Sequence, residues 1–452
     1  MEFGKHIKKG FWGIADKSLP LLYGLGFVFL VIRVLPNEEF GTYILVQNLY
    51  LLLVAAGSSF ALQPMVKYAA ETDDVETILS TGYWMYVLLV IPVSICIAYF
   101  RNFFSSVLNA PAFSILAWYI PLMSAVSLIR VVIIYLLQSK FKIAQIFWIN
   151  AVYYLGSIVS IAILFQTPDY QSAEIMMIVN TFTLGFSSLL AIVFSMNIFS
   201  VQIVKNFFYI KIKKDTLQKF WHYGKYSFGA TSLYTYYTQA DSYIVSFFLG
   251  PAAVAPLNAA KVFTRIYDAV LQLCFTFIVP ASSRLYSQRD EKNLTALAEK
   301  SIFFLTMTTL ILSVAIGAGA PLLFSIMYQG KYSSSVILLQ ILAISGIFIP
   351  LLGISASFLA GIGKVKEFFL STFINTLVAI VVFIASSHLW GITGIVIASV
   401  FLSAFLAVSY TFTLVHFGKI TIRWTGIFFR YRDAIDYIRR VSDTSKAKKI
   451  IK

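Results

Sequence analysis

Charge is scarce in this 452-residue chain: Asp, Glu, Lys and Arg make up 12% of it, against roughly 25% in soluble domains. With 59% hydrophobic residues and a mean hydropathy of +0.81, the shortage excludes a soluble globular protein and points to an integral membrane protein. Cysteine is scarcer still. Cys96 and Cys274 both lie in apolar runs, which excludes a disulfide framework and a cysteine-based metal cluster. The 4 histidines are scattered, so no metal or other cofactor is expected. No Walker-type glycine-rich loop, HExxH or GxSxG occurs. So little of the chain lies outside apolar runs that a nucleotide-binding domain has no room.

The charges that are present are mostly basic, with a formal net charge of +15. Their placement fits the positive-inside rule of membrane proteins and not a nucleic-acid partner. With Met1 on the cytoplasmic side, all Lys and Arg fall in cytoplasmic segments except Lys17, Arg33, Arg101, Arg130, Lys261, Arg265 and Lys331. Arg33, Arg101 and Lys331 lie near outer loops, and the other four lie within apolar runs. Both termini are then cytoplasmic and the number of spans is even, as for a multi-pass membrane protein.

A span takes about 20 helical residues. Twelve runs satisfy that, at 11–34, 40–66, 81–100, 112–138, 146–166, 175–198, 222–249, 254–280, 302–327, 335–361, 367–388 and 391–416. The first is longer than the core of a signal peptide and has no cleavage site after it. The expectation is an all-α polytopic fold. Segment 201–221 mixes aromatics with lysines and suits the membrane surface. It divides a six-helix lobe at 1–200 from a second at 222–416, and a basic amphipathic tail covers 417–452. An offset of 214 lays Glu38-Glu39-Phe40-Gly41 on Ala252-Ala253-Val254-Ala255 and Gln47 on Lys261. An even number of spans per lobe makes the halves parallel repeats about a pseudo-two-fold axis along the membrane normal, with a binding cavity between them.

Ionisable groups inside spans are costly and mark pathways or binding sites. Lys261, Arg265 and Asp268 share one helix face at spacings of four and three residues, and Asp241 lies in the preceding run. Asp16 and Lys17 lie in the first span, and Arg130 in the fourth. Lys17, Arg130, Lys261 and Arg265 are the candidates for holding an anionic cargo. Asp16, Asp241 and Asp268 are candidates for ion coupling, or counter-ions to those cations. Glu71, Asp73, Asp74 and Glu76 read as a solvated acidic turn, and the tyrosines at 234, 236, 237 and 243 as packing or a sugar-stacking surface.

The run Val31-Ile-Arg-Val-Leu-Pro-Asn-Glu-Glu-Phe-Gly-Thr-Tyr43 resembles the signature after the first span of the oligosaccharide flippase (Wzx-like polysaccharide exporter) family, within the multidrug/oligosaccharidyl-lipid/polysaccharide (MOP) exporters. Asp241-Ser-Tyr-Ile-Val-Ser-Phe-Phe-Leu-Gly-Pro-Ala-Ala-Val254 is similar to its second-lobe counterpart. Pro36 stands where that family usually has glycine, and Ala255-Pro256-Leu257 replaces Gly-x-Tyr. The resemblance implies a flippase, not an enzyme, that moves an undecaprenyl-diphosphate-linked oligosaccharide such as an O-antigen, capsule or exopolysaccharide unit by alternating access. The implied partners are that lipid-linked oligosaccharide, membrane lipids and the polymerase or assembly proteins downstream. The alternatives are a cation-coupled multidrug exporter on the same plan and a membrane glycosyltransferase, the latter disfavoured by the short outer loops.

Overall fold

The computed structural model describes residues 2–69, 74–140, 142–198, 209–418, 420 and 422. The first part of the expected 201–221 linker, most of the basic tail, and Glu71 and Asp73 of the acidic turn lie outside the described residues. Among those described, the regular elements are all helices. In hydrocarbon the backbone has no water to bond, so a helix satisfies every interior N–H and C=O within its own segment.

In chain order these are α1 (Glu2–Val31), α2 (Asn37–Ala69), α3 (Val75–Tyr99), α4 (Tyr119–Ser139), α5 (Ile143–Leu164), α6 (Ala173–Ile198), α7 (Lys214–Leu249), α8 (Val254–Ser287) and α9 (Glu291–Tyr328). Then come α10, a pair bent by 44° over Ser333–Ile347 and Ile349–Gly361, and a stretch Val365–Gly418 broken at Gly391. There φ of 57° leaves helical space, a conformation that favours glycine. The break gives α11 (365–390) and α12 (392–418). Within α2, Ser58–Leu62 forms a π turn. At the start of α3 the Asp74 carboxylate accepts a bond from the Thr77 backbone N–H.

Among the described residues, seven helices are long and apolar enough to cross a membrane, or eight if the bent pair is one span. That test reads the whole of Val365–Gly418 as one span. It passes over α1, α7 and α8, which carry the charges, hydroxyls and amides discussed below. The expected twelve is therefore not reached by length and apolarity alone, and the shortfall is concentrated in the helices that hold the candidate site.

The chain forms two compact units. One comprises 1–265, 320–339 and 372–399. In it α1 packs along α5, α4 along α6, and α7 along α2. The two segments that carry the family resemblance meet here. A Cβ on Gly41 would stand 1.9 Å from the Pro251 carbonyl oxygen, so only a bare Cα lets the start of α2 approach the turn before α8. The second unit comprises 266–319, 340–371 and 400–452. Its core joins Val270 and Cys274 of α8 to Ala298 and Ile302 of α9, Phe358 of α10 and Leu414 of α12. The Tyr267 hydroxyl donates to the Ala343 carbonyl at 3.1 Å and lies 2.9 Å from the Ser313 hydroxyl.

In the first unit, α1 and α9 exchange cations at their C-terminal ends. Arg33 Nε and Nη2 donate to the carbonyls of Met327 and Ile326 at 2.7 and 2.5 Å. Lys331 Nζ donates to those of Ile32 and Leu35 at 2.8 and 2.6 Å. The last carbonyls of a helix lack intrahelical partners and carry partial negative charge. Each helix thus supplies the cation that satisfies the other's end. Replacing Arg33 or Lys331 by methionine is expected to lower the unfolding free energy in detergent by about 1.5–3 kcal/mol per cation, the usual contribution of a charged hydrogen bond; an unchanged free energy would show the exchange to be incidental.

Candidate functional site

Three groupings hold six of the seven ionisable residues singled out from the sequence, and all three lie in the first unit. The first is a buried chain across α1, α4, α5 and α6. Arg130 donates through Nε to the Ser187 hydroxyl at 2.7 Å and through Nη2 to Asn150 Oδ1 at 2.5 Å. The amide of Asn150 then donates to Asp16 Oδ1 at 2.7 Å. One neutral side chain therefore connects a guanidinium to a carboxylate that it does not touch. Asn suits this position because its two ends offer an acceptor and a donor. Ser187 passes its own proton to the Ile149 carbonyl at 2.6 Å, and the Arg130 guanidinium lies 5.2 Å from the centre of the Tyr153 ring. Arg130 is buried, so it does not snorkel to the surface. Lys17 behaves differently: its side chain is 56% exposed and its ammonium approaches Asp16 only to 3.9 Å.

The second grouping is compact. Lys261 Nζ donates to both Asp241 oxygens at 2.8 Å and to the Thr238 carbonyl at 3.1 Å. The carboxylate side chain is 7% exposed and the ammonium side chain 20%. This pair lies across α7 and α8, and each charge is neutralised by the other.

The third is a cation by itself. Arg265, one turn after Lys261 on α8, has no hydrogen bond or ion pair to another side chain among the described residues. Its guanidinium lies against the backbone of α1: a Cβ on Gly24 would stand 2.6 Å from Nη1. Tyr43, Tyr154 and Tyr328 all lie within electrostatic reach of its charge, and Tyr154 also senses Arg130 and Asp16. Asp268, the seventh residue, is exposed.

The aromatic cluster beside these charges came from residues that the sequence reading had not marked. Tyr23 stacks on Tyr153 at 6.0 Å and lies 5.3 Å from Tyr154, and Phe27 stacks on Tyr43 at 5.3 Å. Asn180 ties two of the hydroxyls together, accepting from Tyr23 at 3.2 Å and donating to Tyr43 at 2.6 Å. In the tyrosine-rich run on α7 the Tyr243 hydroxyl donates to the Leu45 carbonyl at 3.3 Å; the side chains of Tyr236 and Tyr237 lie outside the description. Single amides within apolar runs, Asn150 and Asn180, were the signal available in the sequence.

A family model for polysaccharide biosynthesis proteins matches residues 10–286. This chain belongs to that family. The matched stretch contains all three groupings. No curated protein matches it in sequence, but its fold is shared with solved transporters. The inward-facing form of a multidrug resistance MATE family transporter of the MOP superfamily aligns at TM-score 0.75 and 15% identity, covering 90% of this chain and 98% of that one. The lipid II flippase MurJ in an inward closed conformation aligns at TM-score 0.70 and 16% identity, covering 93% and 89%. A Vibrio cholerae MATE transporter, VcmN in its bent form, aligns at 0.60 and 13%, covering 89% and 98%. At such identities the likeness establishes the fold alone. The family member is thus a multi-pass, all-helical membrane protein with the fold of the MOP exporters.

Removing the central amide would leave both ends of the buried chain unsatisfied. Asn150→Leu is expected to destabilise the protein by about 3–5 kcal/mol, as when a buried ion pair loses one member. Asn150→Asp, which keeps a partner for Arg130, is expected to cost less. Equal unfolding midpoints for the two variants would show that Arg130 does not depend on this position.

Proposed function

We propose that this protein is a Wzx-like flippase that carries a polyprenyl-diphosphate-linked oligosaccharide across a bacterial inner membrane, with both termini cytoplasmic. The observation that carries the reading is Arg265: a permanently charged guanidinium with no carboxylate partner among the described residues, within electrostatic reach of the buried Tyr43 and Tyr328 and the partly buried Tyr154. Holding a charge at mid-membrane costs at least about 2.5 kcal/mol, and a diphosphate is the kind of ligand that offsets it, because guanidinium and phosphate form paired, charge-assisted bonds. Lys17, exposed and only loosely associated with Asp16, is the second cation with capacity for an anion. Lys261 and Arg130 are already engaged, so their role in this reading is to position Asp241, Asp16 and the helices that carry them. The tyrosines offer flat faces and hydroxyls to the sugars next to the diphosphate.

Two parallel six-helix lobes, at 1–200 and 222–416, would rock to expose the cargo site first to the inside and then to the outside. In such a cycle the cation exchange between α1 and α9 would close the outer side and break as that side opens. Family membership and the likeness to a lipid II flippase support a lipid-linked cargo. A multidrug exporter of cations is the competing reading, favoured by the shared fold, but it would call for free carboxylates. Here Asp241 is neutralised by Lys261, and Asp16 is hydrogen-bonded by Asn150.

In cells whose surface polysaccharide depends on this protein, Arg265→Ala should abolish the polymer while the protein remains in the membrane at normal abundance. Normal polymer would reject the reading, and altered drug susceptibility with intact polymer would favour the multidrug alternative. If Asp16 couples transport to an ion, collapsing the ion gradients should stop polymer export; unchanged export would assign Asp16 a purely structural role.

A further inference from the structure

Where α7 begins, the structure holds an apolar pocket that the cargo site does not use. It occupies about 530 Å³ between the π turn of α2, the middle of α3 and the first turns of α7, and is lined by Phe60, Met85, Leu88 and Leu89 on one side and Leu217 and Trp221 on the other. The Trp221 ring meets Phe60 edge-on at 5.6 Å. The backbone is fitted closely behind it, since a Cβ on Gly224 would stand 2.3 Å from the Phe60 carbonyl oxygen. Leu88 and Trp221 are 65% and 59% exposed, so the pocket is open on its outer side.

Its rim is polar and basic. Gln218 and His222 complete the lining. Lys214, Gln218, Trp221 and Lys225 recur at spacings of four, three and four residues and so share one stripe of α7; both lysines are exposed. No ion pair joins either lysine to a carboxylate among the described residues, and the acids at the start of α3 are bound by other lysines. Lys211 binds Glu76 at 2.6 Å and Lys213 binds Asp74 at 2.5 Å, while the Tyr209 carbonyl accepts from Ser80 at 2.6 Å. These bonds strap residues 209–213 onto the start of α3 and fix where α7 begins. Lys213 holds the Asp74 carboxyl below its ordinary range, and Glu76 raises the Lys211 ammonium above its own.

We infer that this pocket is a binding site for an anionic phospholipid of the adjoining leaflet, one acyl chain lying against Leu217, Trp221 and Leu88 with the phosphate near Lys214, Gln218 and Lys225. The chain gains little by leaving one apolar medium for another, so discrimination comes from the headgroup. The lysines confer it, as basic sites between helices do for anionic lipids generally. The volume suits a single acyl chain and not the far longer polyprenyl tail of the proposed cargo. A bound lipid would brace the junction between the 209–213 strap and α7, the helix that carries Asp241.

The full-length protein, purified in detergent, is to be titrated with phosphatidylglycerol and with phosphatidylethanolamine of identical chains and examined by native mass spectrometry. Phosphatidylglycerol should be retained preferentially. Lys214→Gln and Lys225→Gln should each weaken that retention roughly fivefold without affecting phosphatidylethanolamine, and Leu217→Trp, which fills the pocket, should reduce both. Equal retention of the two lipids, retention undiminished in the double glutamine variant, or displacement of phosphatidylglycerol by a polyprenyl diphosphate that Leu217→Trp also excludes would each overturn the assignment. The assay involves no transport, so it stands or falls separately from the flippase reading.

Discussion

A guanidinium that has no carboxylate to lean on constrains the first unit of this protein more than any other feature. In water such a charge is unremarkable; inside an apolar bundle it must be met by dipoles, water or a ligand. The chain meets it with geometry. Gly24 removes a side chain from α1 at the point where Arg265 arrives, and Tyr43, Tyr154 and Tyr328 lie within electrostatic reach of its charge. A carboxylate at any of those positions would neutralise the guanidinium and remove its capacity to hold an anion.

The contrast with its neighbours gives this arrangement its meaning. Lys261 lies one helical turn from Arg265 and is clasped by both oxygens of Asp241. Arg130 is tied through Asn150 to Asp16. The same unit therefore contains two ways of making a buried cation inert, while Arg265 has no carboxylate partner among the described residues. Closed pairs of this kind add little net stability, but they fix helix registers, and fixed registers keep Arg265 against Gly24.

Much of the architecture was legible in the sequence. Long apolar runs marked the helices, and the gap between the runs at 367–388 and 391–416 falls at the break at Gly391. The count was harder to read, because α1, α7 and α8 do not pass on length and apolarity. Lys17, Arg130, Lys261 and Arg265 stood out in the sequence as cations within apolar runs, but their separate states did not. Helical spacing puts Arg265 and Asp268 on one face; Asp268 is exposed, and the Arg265 guanidinium lies against α1 at Gly24. Asn150, Ser187, Asn180 and the Tyr23–Tyr153–Tyr154 cluster went unmarked because a lone amide or tyrosine in an apolar run gains significance only when distant helices meet it. The exchange of cations between Arg33 and Lys331 was hidden for the same reason: its acceptors are backbone carbonyls nearly 300 residues away.

The central claim, that Arg265 is kept uncommitted in order to hold a diphosphate, is tested most directly by binding. Purified wild-type protein and an Arg265→Met variant, compared for affinity toward a polyprenyl-diphosphate-linked sugar and toward the same lipid as a neutral alcohol, should separate cleanly. The account predicts tight binding of the diphosphate by the wild type, a loss of roughly tenfold or more in the variant as a charge-assisted bond is removed, and no change for the alcohol. Equal diphosphate affinity in the two proteins would contradict it.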